Sequence, residues 1–284
     1  MTLLVFGRTG QVAQALMRLA PEAVFLGREA ADLTDPAACA AAVHRVGPSA
    51  VINAAAYTAV DKAESDAAVA EAVNTLAPGA IAAACAQIDV PLVHLSTDYV
   101  FDGAGTSAFA PTQRPAPLGV YGRTKAEGEA RVRAAGGAHA ILRTSWVFSA
   151  DGSNFVKTML RLSESRDRLA IVADQVGGPT PAAAIAEACL VIAARLRASP
   201  ALSGTYHFAG TPDATWAEFA RTIFALSGRK VEVAEIATAD YPTAARRPLN
   251  SRLDCASTTA AFGLERPDWR AGLQDVLNTL EASA

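Results

Sequence analysis

Strand-length apolar runs, each followed by a longer alanine-rich helical stretch, constrain this chain more than any other feature. Leu3–Phe6 leads into Gln11–Leu19, and Val24–Leu26 into 37–46. Ala50–Asn53 then leads into 67–73 and 77–86, and Leu92–Leu95 is followed by a helical stretch around Tyr121 and by Ala140–Arg143. Runs that are apolar throughout, rather than alternating, belong to strands covered on both faces. Joined by helices, they predict an α/β fold, a Rossmann-type doubly wound parallel sheet with right-handed crossovers. Beyond about Trp146 the rhythm loosens into loops with Gly and Pro and helices near Phe155–Ser163, Pro181–Arg197 and Trp216–Leu226.

The first βα junction reads Gly7-Arg8-Thr9-Gly10-Gln11-Val12-Ala13. A glycine turn there brings backbone N–H groups and a helix N-terminus up to a pyrophosphate, and the third glycine position tolerates alanine. A dinucleotide is therefore expected on Gly7, Arg8, Thr9, Gly10, Gln11 and Val12. About 20 residues on, where an acidic side chain would hold an NAD ribose, stands Gly27-Arg28-Glu29. Arg28 and Arg8 favour the 2′-phosphate of NADPH; Glu29 leaves NADH as a second option. The chain divides accordingly into a dinucleotide-binding domain, residues 1–150, with later returns of the chain to it, and a smaller mixed α/β, mainly substrate-binding subdomain, residues 151–284.

Tyr121 and Lys125 stand four residues apart in Val120-Tyr121-Gly122-Arg123-Thr124-Lys125, so on a helix they share a face. An ammonium near a phenol favours the phenolate and lowers a pKa that is about 10 in model peptides, which suits general acid–base work. Such a pair is common on plain solvated helices. Thr97, at the end of the run from Pro91 to Leu95, would come toward the Tyr121 helix; its alternative is a local turn or cap.

The combination of these motifs with Asn53-Ala54-Ala55-Ala56-Tyr57-Thr58-Ala59-Val60-Asp61, Leu95-Ser96-Thr97-Asp98-Tyr99-Val100-Phe101, Arg143-Thr144-Ser145-Trp146, Asn154-Phe155, Asp174-Gln175 and Arg247-Pro248-Leu249-Asn250-Ser251 resembles the extended short-chain dehydrogenase/reductases, most closely the dTDP-4-dehydrorhamnose reductases. The resemblance runs nearly end to end. It implies NADPH- or NADH-dependent reduction of the C4 ketone of dTDP-4-dehydro-β-L-rhamnose to dTDP-β-L-rhamnose. Tyr121 would protonate the ketone oxygen, Lys125 hold the nicotinamide ribose and tune Tyr121, and Thr97 orient the carbonyl. It assigns Asp32 and Leu33 to the adenine, Ala54, Ala55, Ala56, Tyr57 and Thr58 to the middle of the cofactor, and Leu95 to the nicotinamide side. Asp98 and Trp146 would meet the sugar nucleotide, with Val60, Asn154 and Arg247 near the sugar or phosphates.

Other readings stay open from the residues alone: another nucleotide-sugar ketoreductase or epimerase, or a non-catalytic dinucleotide-binding subunit. A dehydratase is disfavoured, because Thr97 is followed by Asp98 and Tyr99 rather than by an Asp-Glu pair. Some relatives use an acidic residue early in the first helix to share magnesium across a dimer. This chain has Ala15 near that point, so no metal is expected and a homodimer of that kind is in question. A net charge of -3 and a pI near 5.8 argue against a nucleic-acid partner. No run reads as a signal peptide or a membrane span, and the four dispersed cysteines suit a reducing compartment, so the expected location is the cytoplasm.

Overall fold

Each early apolar run becomes a strand because both faces of the sheet it joins are covered. The computed structural model describes residues 2–282; Met1 and residues 283–284, at the ends of the two expected units, lie outside the described residues. The main sheet contains β1 (Leu3–Phe6), β2 (Val24–Leu26), β3 (Ala50–Asn53), β4 (Leu92–Thr97), β5 (His139–Thr144) and β10 (Gly204–His207). All pair parallel, in the order β10-β5-β4-β3-β1-β2. Side chains alternate between two cores. Val5, Ile52, Val93 and Leu142 meet α1 (Gln11–Leu19) and α8 (Ala182–Ala198). Leu4, Phe6, Val51, Leu92 and Ile141 meet α2 (Pro36–Val46), α5 (Ala77–Gln87) and α6 (Val120–Ala134). The strand order reverses between β1 and β3, and ligands of such sheets bind outside the strand C-termini at that reversal.

Local chemistry sets the helix ends. Asp35 accepts from the Ala38 N–H and Pro36 follows at the first turn of α2, which stops at Gly47 with φ 55°. Gly10, by contrast, caps α1 without any side-chain hydrogen bond, so the first N–H groups of that helix are left for another acceptor. Between α4 (Ala67–Glu71), which follows the short α3 (Val60–Ala63), and α5 the backbone widens into a π-helical turn, 72–76. The segment Ala67–Gln87 is long and apolar enough to cross a membrane by length and composition, but 56% of its most apolar 18 residues are buried inside the protein against its neighbours.

Beyond Trp146 two elements return to the main sheet: α8 covers one face and β10 becomes the sixth strand. The remaining elements are β6 (Val147–Phe148), α7 (Phe155–Leu162), β7 (Arg168–Val172), β8 (Val176–Gly177), β9 (Thr180–Pro181), β11 (Ala214–Thr215), α9 (Trp216–Leu226), β12 (Glu232–Ile236), β13 (Asn250–Ser251), α10 (Ala256–Phe262) and α11 (Trp269–Ala282). Except for α10, whose Phe262 joins the core under α8 and packs on Tyr206 of β10, they form small two- and three-stranded sheets over a separate core in which Phe148, Met159, Ile171, Phe219, Ile223, Trp269 and Leu273 are packed together. A capping box between Thr215 and Glu218 starts α9. The effect of this second layer is to wall one side of the crevice at the strand reversal.

Candidate active site

A cleft of about 700 Å³ opens above the C-terminal ends of β1, β3, β4 and β5. Gly7, Arg8, Thr9, Gly10, Gln11 and Val12 form one end of it. Gly7 has φ +112°, and a Cβ there would also press on the Ala54 carbonyl carbon and Ala55 nitrogen at 3.3 Å. A Cβ on Gly10 would meet nothing within 4 Å, so a ligand can approach that backbone closely. Together with the unfilled first turn of α1, this is an anion site built from backbone N–H groups. The Gln11 side chain points instead to the second layer: its Oε1 accepts from Ser149 Oγ and Asn154 Nδ2, both at 2.9 Å. Gln11 thus ties the phosphate turn to the loop before α7.

Arg28, Asp32 and Leu33 line the same end, past β2. Arg8 pairs with Glu29 at 3.3 Å and Arg28 sits 3.9 Å from the half-buried Asp32, the other three side chains being well exposed. Ala54, Ala55, Ala56, Thr58 and Val60 continue the wall after β3. Tyr57, expected among them, does not line the cleft; its hydroxyl donates to Asp66 and its backbone is held on both sides by Asn74, whose Oδ1 accepts from the Tyr57 N–H at 2.9 Å and whose Nδ2 donates to the Tyr57 carbonyl at 3.1 Å. Asn74 lies on the π-helical turn and also reaches Thr124 of α6, so the widened turn fastens the cofactor-side loop to the Tyr121 helix.

Leu95, Thr97, Asp98, Tyr121, Lys125 and Trp146 meet at the far end. Strand β4 carries Thr97 to its last position, and α6 brings Tyr121 and Lys125 down on one buried face. The approach is close because Gly122 lies against the Tyr99 carbonyl and Gly128 against the Asn74 carbonyl. Tyr121 packs edge-on to Tyr99 at 5.5 Å between ring centres. Burial pushes the Tyr121 hydroxyl up to about 12, a hydrogen bond with Thr97 pulls it back, and the Asp98 charge raises it again. The expected lowering by Lys125 is not what this geometry produces. Lys125 Nζ is turned toward β4, donating to the Leu95 carbonyl at 2.6 Å and standing 3.4 Å from His94 Nε2. Its own pKa is lowered to about 8 by burial, with Glu129 acting in the opposite sense.

Asp98 is buried beside Thr97, whose hydroxyl donates to its Oδ1 at 3.1 Å. Burial raises its pKa to about 6, against hydrogen bonds from Ser251 and Thr97. Its Oδ2, like Thr144 Oγ1 on the neighbouring strand, is buried without a hydrogen-bond partner among the described residues, and both side chains belong to the cleft wall. Trp146 has φ 49°, and one ring face is stacked on Trp216 at 3.6 Å between centres. Trp216 Nε1 in turn donates to Gln175 Oε1. Trp146 therefore offers the cleft a rim and one face rather than a free-standing floor.

Two other expected residues lie outside the lining. Asn154 caps α7, accepting from the Lys157 N–H, and acts on the cleft only through Gln11. Arg247 donates to Asp61 Oδ2 at 2.7 Å, and its Nη1 is buried without a partner among the described residues. Beneath the cleft, Glu129 and Arg143 form a buried bidentate pair at 2.6 and 2.8 Å, with Ser96 donating to the same carboxylate. Among the described residues no three His, Cys, Asp or Glu side chains stand together as a metal-binding set.

The chain is similar to known proteins along nearly its whole length. The model of the RmlD substrate binding domain matches residues 1–282. A dTDP-4-dehydrorhamnose reductase of Sinorhizobium fredii is 46% identical over 95% of this chain and 94% of its own length. Among solved structures, a dTDP-4-dehydrorhamnose reductase of Clostridium acetobutylicum superposes with a TM-score of 0.93 at 33% identity, covering 99% of this chain and 100% of that one. The Bacillus anthracis dTDP-4-dehydrorhamnose reductase in complex with NADP superposes with a TM-score of 0.90, also at 33% identity, covering 98% and 99%. With its glycine turn, its Thr97, Tyr121 and Lys125 in one cleft and this likeness along its whole length, the chain belongs to the dTDP-4-dehydrorhamnose reductase family.

Proposed function

We infer that this protein is an oxidoreductase that uses NADPH to reduce the C4 ketone of dTDP-4-dehydro-β-L-rhamnose, yielding dTDP-β-L-rhamnose. The observation that carries this reading is a protonated, buried Tyr121 hydroxyl joined to Thr97 at the end of the cleft opposite the glycine turn. Reduction of a ketone needs an acid at the carbonyl oxygen, and a phenol with a raised pKa holds its proton until an alkoxide forms beside it. When bound, NADPH supplies the hydride.

The chain's own residues do the rest. Gly7, Thr9, Gly10, Gln11 and Val12 receive the pyrophosphate on backbone N–H groups. Arg8 and Arg28 stand free enough to reach a 2′-phosphate, which favours NADPH and leaves NADH the weaker donor. Asp32 and Leu33 take the adenine side, and Ala54, Ala55, Ala56 and Thr58 the middle, with Tyr57 acting through its backbone. Leu95 backs the nicotinamide and Lys125 takes its ribose. Thr97 fixes the carbonyl so that Tyr121 donates to its oxygen; loss of the Tyr121 proton leaves a phenolate that water must reprotonate. Asp98 Oδ2 and Thr144 Oγ1 suit sugar hydroxyls, Trp146 packs on the ring, and Val60 borders it. Arg247 meets the diphosphate by leaving Asp61. In this division residues 1–150, with α8 and β10, hold the cofactor and supply Thr97, Asp98, Thr144 and Trp146 to the sugar, and the rest of 151–284 closes mainly the substrate side.

The test is to follow NADPH absorbance with dTDP-4-dehydrorhamnose for the wild type and Tyr121→Phe. Turnover in the variant falls about 10²-fold or more with NADPH affinity nearly unchanged. Cofactor binding without turnover in the wild type would leave a non-catalytic binding role instead.

A further inference from the structure

His94 is fully buried on β4, one position before Leu95, and nothing in the proposed reaction uses it. Its two ring nitrogens nevertheless end on Asn53 of β3 and Lys125 of α6. The polarity of that chain is fixed from one end. The backbone N–H of Ala55 is a donor only, and it donates to Asn53 Oδ1 at 3.2 Å. The Asn53 amide is therefore turned with Nδ2 toward His94 Nδ1, at 3.2 Å. Nδ1 must accept, which places the single proton of a neutral imidazole on Nε2. Turning the ring over would set carbon atoms against both partners, and turning the amide would set two donors face to face at Ala55.

The Nε2–H faces Lys125 Nζ at 3.4 Å. An ammonium there would meet another donor; a neutral amine would accept from it and still donate to the Leu95 carbonyl. We propose that His94, locked by Asn53 as the Nε2–H tautomer, is a positioning residue that holds Lys125 as a neutral amine in the ligand-free protein and so keeps Tyr121 in its acid form. Burial already brings the ammonium down to about 8, so a single unfavourable donor contact decides its state near neutral pH. The other groups around Lys125 do not reverse this. Glu129, on its own helix, is spent on Arg143, Arg133 and Ser96. Tyr121 is protonated, Asp98 lies beyond Thr97, and burial keeps His94 from becoming an imidazolium.

The inference rests on the proposed acid role of Tyr121 for its consequence, but not for its first test. Nitrogen-15 NMR of the ligand-free wild type, with the four histidines assigned by single substitution, reads the tautomer directly. The expected result is a neutral His94 ring with its proton on Nε2 from pH 6 to 9; an Nδ1–H ring or an imidazolium overturns the proposal whatever the enzyme's activity. The second test is the pH profile of kcat/KM for His94→Gln, whose amide oxygen accepts from an ammonium. Relieved of the donor contact, Lys125 should keep its proton to higher pH, so the limb that follows Lys125 moves up from about 8 by about one pH unit. A folded His94→Gln with the wild-type profile also overturns it, and if that variant does not fold the NMR result decides alone.

Discussion

Replacing Gly122 with alanine tests how far the catalytic geometry depends on a helix pressed against a loop. A Cβ at this position falls well inside the 3.0 Å that real Cβ atoms keep from the Tyr99 carbonyl oxygen, so α6 and the 98–100 turn must separate by about 1 Å. Helix propensity favours alanine over glycine by about 1 kcal/mol, whereas forced overpacking costs about 1–3 kcal/mol. The net loss of stability is therefore about 2 kcal/mol at most, and the protein should fold. Activity has no such compensation, because the separation falls between Tyr121, next to Gly122, and Thr97, next to the displaced turn. A misplacement of about 1 Å in a reacting pair costs about 10²-fold. We expect kcat to fall by about that factor, NADPH Kd to change little, and the denaturant midpoint to drop slightly. Gly128→Ala is the control: it overlaps the Asn74 carbonyl instead, so it should lose comparable stability with a smaller loss of kcat. Wild-type kcat in folded Gly122→Ala would refute the claim that this contact sets the spacing of Tyr121 and Thr97.

Three further outcomes follow from the buried groups. Glu129→Gln leaves the Arg143 guanidinium buried without its counter-charge and should cost about 3–5 kcal/mol in chemical denaturation at pH 7. Burial alone would raise the Glu129 pKa, but hydrogen bonds and charge from Arg143 bring it below the usual value; its contribution is thus complete above about pH 4.5 and lost as pH falls through the lower folded value, a loss Glu129→Gln should not show. Asp98 behaves oppositely, since burial raises it to about 6: the folded state holds that proton more tightly, and stability declines between about pH 4 and 6. Asp98→Asn should therefore be more stable than wild type by about 1–3 kcal/mol at pH 8, with the gain gone below pH 4, and should turn over more slowly. Trp216→Leu removes the ring stacked behind Trp146 and should raise KM for the sugar nucleotide about 3- to 10-fold while leaving NADPH affinity alone.

The parts of the site legible in the sequence are those fixed by local spacing. Gly7 announces a turn because few other residues permit its backbone, and Tyr121 and Lys125 share a face because a helix repeats every 3.6 residues. The strands 3–6 and 50–53 stood out because burial on both faces forbids polar interruption, and the edge strand 24–26 because it too is apolar throughout. What stayed hidden depends on partners distant in the chain. Asn74 looks like an ordinary polar residue in an alanine-rich stretch until the π-helical turn sets it on Tyr57. Trp216 matters through Trp146, 70 residues earlier, and β10 joins the sheet although Gly204–His207 carries little strand pattern. The direction of the Lys125 side chain was hidden for the same reason. Helical spacing put it near Tyr121, while the Leu95 carbonyl and His94 turned its ammonium position toward the sheet. A signal did exist for Arg143, a charged residue within an otherwise buried strand, but Glu129 is one of several charges on α6 and nothing in the spacing said that the two pair.

The most direct measurement is where the hydride goes. With NADPH carrying deuterium at both positions of nicotinamide C4 and dTDP-4-dehydrorhamnose as substrate, the product should be dTDP-rhamnose with one deuterium at sugar C4, formed about 10²-fold or more slowly by Tyr121→Phe. Product lacking deuterium at C4, or formed at the wild-type rate by Tyr121→Phe, would contradict ketone reduction with Tyr121 as the acid.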